Sequence, residues 1–181
     1  MKSPLKKIVI LGPESTGKST LCEQLALHFN TISCPEYARQ YLSENGLKYN
    51  YDSLLTIAKG QLTLEDHFTE QAIQNKKNLL FIDSDMYVMM VWCEYVFNNC
   101  PTYILDEINA RTYDYYLLCD IDLPWTADEM REYPDPQPRQ ELFHIYKDLL
   151  INQTTPWGMV SGRGEARTKQ AIQLIESALV S

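Results

Sequence analysis

Apolar residues in this chain alternate between two kinds of run: short continuous ones, and longer ones spaced at three and four. Lys7-Ile-Val-Ile-Leu11 is short and β-branched and predicts a strand; behind it Leu21, Leu25 and Phe29 recur at helical spacing from Ser19 to Phe29. Thr31 to Cys34 predicts a second strand, stopped by Pro35, and Glu36-Tyr-Ala-Arg39 opens a short helix that Asn45-Gly46 ends. Asp52 is expected to cap a long amphipathic helix reaching about Asn75, with Ile57, Leu64, Phe68 and Ala72 as its apolar stripe. Leu79 to Ile82 is a fully apolar strand running into Asp83-Ser84-Asp85. The Met- and aromatic-rich stretch Met86 to Phe97 is expected to be core, and Pro101 to Arg111 a further helix. Tyr115 to Cys119 predicts a fourth strand, Leu142 to Ile151 a helix, Met159 to Ser161 a fifth strand, and Ile172, Ile175 and Leu179 line a closing helix. Between them, Asp122 to Arg139 is polar and holds Pro124, Pro134, Pro136 and Pro138; it predicts a lid over about 122–140, with a short helix near Ala127 to Arg131.

Apolar strands alternating with helices imply an α/β fold, a five-stranded parallel sheet with helices on both faces and a small helical lid, in one domain over 1–181. In such a sheet ligands bind beyond the carboxyl ends of the strands. The residues just after each strand therefore share one rim: Gly12 to Ser19, Glu36 and Arg39, Asp83 and Asp85, Asp120 and Asp122, and Gly162 to Arg167.

One of those rim segments carries specific chemistry. Gly12-Pro-Glu-Ser-Thr-Gly17-Lys18-Ser19 fits G-x-x-x-x-G-K-[ST] between a strand and a helix, the setting of a phosphate-binding P-loop. Chance alone gives that match in under about 1% of chains this long. Loop N–H groups and the following helix terminus suit an anion, Lys18 is a point charge for β- and γ-phosphates, and the Ser19 hydroxyl suits Mg²⁺. Candidates for holding ATP are Gly12, Glu14, Ser15, Thr16, Gly17, Lys18, Ser19 and Thr20. Gly162 and Arg163, after the last strand, are candidates for the base, with Arg163 or Arg167 stacking on it.

The other rim residues divide the remaining work. Asp83 ends an apolar run and is the expected second metal-side group, although Asp at that position also caps helices. Asp85 is the first candidate for the general base and Glu36 the second, with Arg39 steering an acceptor hydroxyl. Arg131 and Arg139 are the cations a closing lid would bring, and Trp125 is a candidate for stacking on a substrate ring.

Composition narrows the partners. Hydrophobic content of 45% and charged content of 22% are ordinary for a globular protein, and the net charge of −8 advertises neither nucleic acid nor an anionic membrane. A small or cationic substrate suits that balance. No segment approaches a bilayer-spanning length, Ile8 to Leu11 is too short for a signal sequence, and five cysteines without C-x-x-C spacing point to reduced cytoplasm.

Taken together, the chain resembles the nicotinamide riboside (ribosylnicotinamide) kinase domain of the NadR-type proteins, a P-loop, AAA-like family. The resemblance runs through Gly12-Pro-Glu-Ser-Thr-Gly-Lys-Ser-Thr20, Glu36-Tyr-Ala-Arg39, Phe81-Ile-Asp-Ser-Asp85, Tyr113-Asp-Tyr-Tyr-Leu-Leu118, Pro124-Trp-Thr-Ala-Asp128 with Arg131, and Ser161-Gly162. It implies ATP- and Mg²⁺-dependent phosphorylation of a small nucleoside, nicotinamide riboside, at its 5′-hydroxyl. NadR proteins carry an adenylyltransferase domain before the kinase domain; 181 residues leave no room for one, which counts against NAD-forming activity. Another nucleoside or small-molecule kinase is the runner-up, because a P-loop specifies only the donor. A regulatory ATPase or GTPase is a third reading; Asn75-Lys-Lys-Asn78 comes near a guanine-reading motif but ends in Asn and precedes a strand.

Overall fold

A computed structural model describes residues 4–180. Five strands, β1 (Lys6–Leu11), β2 (Ile32–Cys34), β3 (Leu79–Asp83), β4 (Tyr115–Cys119) and β5 (Trp157–Val160), form one parallel sheet in the order β2-β3-β1-β4-β5. Seven helices connect and flank them: α1 (Lys18–His28), α2 (Tyr37–Asn45), α3 (Tyr51–Gln74), α4 (Met86–Phe97), α5 (Thr102–Ala110), α6 (Pro136–Ile151) and α7 (Gly164–Val180).

The two-residue period of a strand assigns the faces. Ile8 and Ile10 of β1 join Leu21 and Leu25 of α1 and Ile175 of α7 on one side. Val9 and Leu11 point the other way, into Val91 of α4 and Leu142, Phe143 and Tyr146 of α6. Every residue of β3 and β4 is buried, as expected for interior strands covered on both faces. A satellite core joins Ala38 of α2, Leu54 and Ile57 of α3, Met86, Met89 and Cys93 of α4, and Ile104 of α5. Gly60 of α3 has room for no side chain: a Cβ there would lie 2.0 Å from the Tyr37 ring, so the absent methyl lets α2 lie down on α3.

Three expectations about the elements are corrected. The cap of α3 is Asn50, not Asp52: Asn50 Oδ1 accepts from Ser53 N at 2.9 Å and Ser53 Oγ accepts from Asn50 N at 3.1 Å, a reciprocal capping box. No helix forms over 127–131, where only a turn at Glu129 and Met130 interrupts irregular chain. The amides flanking it are tied to the phosphate loop, Thr126 N donating to Ser15 Oγ and the Glu132 and Tyr133 N–H groups to Glu14 Oε2, while within it Met130 N donates to Asp128 Oδ1. Pro136 and Pro138, expected in the lid, instead open α6; Pro136 sits at the first helical position, where its missing N–H has no intrahelical acceptor to serve.

A buried carboxylate ties α3 to the amino-terminal side of the sheet. Glu65 is fully buried and accepts from Lys7 Nζ at 2.9 Å, Arg111 NH1 at 3.3 Å and the Tyr113 hydroxyl at 2.9 Å. Arg111 also holds Asp66 and Glu107. Glu65→Ala is therefore expected to cost about 2–3 kcal/mol, below the full penalty of a stranded buried charge because Arg111 keeps two partners. Urea unfolding of the variant measures it, and a loss under about 1 kcal/mol would show the network to be dispensable.

Candidate active site

The loop after β1 is shaped by three left-handed residues, Gly12 (φ 144°), Ser15 (φ 57°) and Gly17 (φ 74°). Gly12 is required twice over: its φ disfavours any side chain, and a Cβ would lie 2.9 Å from the Cys119 carbonyl oxygen of β4. Gly17 is the N-cap of α1, and the Thr16 hydroxyl closes the loop on the Pro13 carbonyl at 2.7 Å. Lys18 Nζ rests on the same carbonyl at 3.0 Å. The result is a ring of backbone around the positive end of α1, which can hold an anion.

Buried guanidinium groups hold that loop from behind. Arg167 of α7 donates to the Thr16 carbonyl at 3.0 Å, the Asp120 carbonyl at 3.3 Å, the Gly162 carbonyl at 3.1 Å and Asp122 Oδ1 at 2.9 Å. Arg139 of α6 donates to the Leu123 carbonyl at 3.3 Å and the Ser15 carbonyl at 3.5 Å. Neither was expected in this role: Arg167 is sealed inside and does not present a stacking face, and Arg139 is a buried helix residue.

The 121–135 segment crosses the loop as a roof. Besides its amide contacts to Ser15 and Glu14, Arg131 NH1 donates to Ser15 Oγ at 3.3 Å and to the Thr126 carbonyl. Arg39 NH1 meets Asp128 at 3.1 Å. The Tyr49 hydroxyl donates to Glu132 at 2.8 Å and accepts from Trp92 Nε1 at 3.0 Å. Burial raises the Glu14 pKa, against the two amide hydrogen bonds that favour its charged form.

Between loop and roof lies a cleft of about 290 Å³. One half is the phosphate loop from Gly12 to Thr20 with Arg131. The other is walled by Glu36, Arg39, Tyr49, Trp92, Tyr95 and Tyr146 and roofed by Glu129 to Tyr133. Glu36 precedes α2 in extended conformation and makes no cap hydrogen bond, because Gln61 does that work: its Oε1 accepts from Tyr37 N at 2.7 Å and its Nε2 donates to the Pro35 carbonyl at 3.4 Å. The Glu36 carboxyl is thus left to the cleft. Burial raises its pKa, Asp83 raises it further, and Lys18 and Arg39 pull it back.

Other expected site residues stand apart from this cleft. Asp85 is 2% exposed and does not line it. It caps α4, Oδ1 accepting from Tyr87 N at 3.0 Å and Oδ2 from the Tyr116 hydroxyl at 3.0 Å. Burial pushes its pKa up to about 7. Asp83 is buried at the end of β3 beside Ile10, and accepts from Ser84 Oγ at 3.4 Å. Trp125 lies under the Arg139 guanidinium, 5.7 Å from ring centroid to carbon, rather than in the cleft. Gly162 N and Arg163 NH2 are both engaged by Asp122, and neither residue lines the cleft. Among the described residues no cluster of three or more His, Cys, Asp or Glu forms a metal cage, and no helix is long and apolar enough to cross a membrane.

The expectation that Met86 to Phe97 is core is half right. Met86, Met89 and Cys93 face the satellite core, whereas Val88, Val91, Trp92 and Tyr95, at helical spacing, form a cleft wall. Tyr49 packs edge-on against Trp92 with centroids 4.9 Å apart, and Tyr95 likewise against Tyr133 at 5.5 Å. The periodicity was visible, but a helix apolar on every side gives no sign of which face is open.

A family model described as an AAA domain matches residues 7–167. The chain belongs to that family. Its curated relatives include the trifunctional NAD biosynthesis/regulator protein NadR of Escherichia coli (strain K12), 28% identical over 150 residues, which are 81% of this chain and 36% of that protein. The NadR of Salmonella typhimurium is 26% identical over 152 residues, 81% of this chain and 36% of its own length. The chain thus spans about a third of these relatives. Among solved structures, NadR in complex with NR matches with a TM-score of 0.73 at 21% identity, over 96% of this chain and 51% of that one. Thymidylate kinase from Candida albicans matches with a TM-score of 0.65 at 17% identity, over 98% and 93%. These likenesses bear out the α/β P-loop fold and its parallel sheet.

Asp85 generates a pH prediction. Well below pH 3.8 the carboxyl is protonated whether the chain is folded or not, and no charge is buried. As pH rises from the ordinary value of 3.8 towards about 7, the unfolded chain loses the proton while the folded one keeps it, so stability falls. Asp85→Asn should gain on the wild type between pH 4 and pH 8, by a few kcal/mol. Denaturant unfolding at both pH values measures this, and a pH-independent difference would contradict it.

Proposed function

We propose that this chain is an ATP-dependent kinase that phosphorylates nicotinamide riboside at its 5′-hydroxyl, giving nicotinamide mononucleotide. The observation that carries the reading is that one cleft joins a phosphate-holding loop, the free carboxyl of Glu36 and an aromatic wall under an acidic roof. A phosphoryl donor and a cationic, ring-bearing acceptor match its two halves. Two solved NadR complexes, one with NAD and AMP-PNP and one with NR, favour the same pair of ligands.

In this reading the acceptor hydroxyl attacks the γ-phosphorus of ATP, its proton passes to a Glu36 oxygen, and the bond to the ADP oxygen breaks. A carboxyl raised by burial accepts that proton more readily near neutral pH than an exposed one. Asp85, the first candidate for base, is set aside because both its oxygens are engaged and it lies off the cleft. Lys18 and Arg131 neutralise charge on the transferring group. Ser19 and Asp83 are the residues to hold Mg²⁺; Asp83 is a buried carboxyl with one weak donor, Ser84, so a cation arriving with the nucleotide would answer its charge. That ion would offset negative charge on the phosphates.

Two expectations test this. Glu36→Gln is expected to lower kcat by roughly 10²–10⁴ while leaving the KM for ATP nearly unchanged, and Lys18→Ala to collapse turnover more than ATP binding. Steady-state kinetics with ATP and Mg²⁺ measure both, and a Glu36→Gln enzyme at wild-type speed would refute the base assignment.

A third expectation concerns the acceptor. The pyridinium of nicotinamide riboside is a permanent cation, and Tyr49, Trp92, Tyr95 and Tyr133 offer it ring faces. Such a contact contributes roughly 0.5–2 kcal/mol, or about two- to thirtyfold in affinity. Its kcat/KM should exceed that of uridine or cytidine by at least this margin, and Trp92→Leu should shrink the difference. Equal turnover of a neutral pyrimidine nucleoside would favour the runner-up, another nucleoside kinase.

A further inference from the structure

Cations in the cleft are unevenly placed. Lys18 and Arg131 lie on the phosphate-loop side, Arg131 held to Ser15. Arg39 also lines the cleft near Glu36 and, unlike Lys18 and Arg131, makes no hydrogen bond to the phosphate loop. Its NH1 donates to both oxygens of Asp128, at 3.1 and 3.3 Å, across 89 residues of sequence.

As a stabilising contact that pair counts for little. The Arg39 side chain is 49% exposed and that of Asp128 28%, and solvent screens such half-solvated pairs. Its chemical consequence is larger. A 5′-phosphate on an acceptor carries close to two negative charges near neutral pH and needs a cation within reach. In this cleft it would meet Glu36, Glu129 and Glu132, and a guanidinium already neutralised.

We propose that Asp128 is a specificity-determining residue. By engaging Arg39 it leaves the acceptor side no cation beyond those tied to the phosphate loop, so the cleft takes nucleosides and rejects nucleoside 5′-monophosphates as acceptors. Asp128 acts through Arg39 rather than on the reacting atoms, and the proposal rests on the nucleoside kinase reading. It accounts for a phosphorylation that stops after one transfer.

Asp128→Asn separates charge from structure. Asp128 Oδ1 also accepts from Met130 N at 3.0 Å, a contact an Asn oxygen can keep, so the roof turn survives while the carboxylate charge goes. Calorimetric binding of nicotinamide mononucleotide and of uridine monophosphate to wild type and variant is the measurement. Each monophosphate is expected to bind Asp128→Asn about tenfold more tightly, equivalent to ~1.4 kcal/mol. Nicotinamide riboside should shift by less, and adding Arg39→Gln should abolish the gain. Unchanged or weaker monophosphate binding to Asp128→Asn would overturn the proposal, as would a gain that survives loss of Arg39. Wild-type turnover of nicotinamide riboside tests the acceptor assignment separately; if that assignment fails, the uridine monophosphate comparison still decides the role of Asp128.

Discussion

A loop that binds anions through its amides has its carbonyls facing the other way, and they need donors whether or not a ligand is present. Arg167 and Arg139 supply those donors from α7 and α6, reaching Thr16 and Ser15 from behind. The rest of the site depends on this. With the back of the loop satisfied, Ser15 Oγ and the Glu14 carboxyl are left over to accept from the roof, and the roof in turn closes the acceptor half. Burying two guanidinium groups is costly unless they are well paired. Each leaves its Nε without a partner, so the arrangement favours holding the loop over maximal stability.

The acceptor half follows from the same logic of surplus groups. Gln61 takes over the capping of α2, and so releases Glu36, which by position would otherwise have been the cap. On β3 the reverse holds: Asp85 caps α4 itself and is lost to the cleft. Two acids placed alike, each just beyond a strand and just before a helix, are given different work by whether a neighbour caps the helix for them.

That contrast also explains what the amino-acid pattern could and could not reveal. The strands, the phosphate loop and the rim residues are local signals, period two, glycine spacing and the parallel-sheet rule, and the structure has the strands and the loop within a residue or two of their expected places. The free state of Glu36 hangs on Gln61, which bonds Tyr37 N from 24 residues away, and the course of the roof on Glu14 and Ser15, more than 100 residues away. No window along the chain contains both partners. Hence the helix expected near Ala127 is absent, and the arginines expected as a mobile pair are split, Arg131 in the cleft and Arg139 buried.

The net charge of −8 acquires a location in the same way. Glu14, Glu36, Glu129 and Glu132 all line the cleft, opposite only Lys18, Arg39 and Arg131, so the acceptor half has a negative bias although it opens onto a phosphate site. Such a field attracts a cationic acceptor and disfavours an anionic one. The phosphate loop is exempt because its attraction comes from backbone amides and a helix terminus, which side-chain carboxylates do not neutralise. In the proposed reading two chemistries of opposite sign share one cleft, the donor held by backbone and the acceptor selected by side chains.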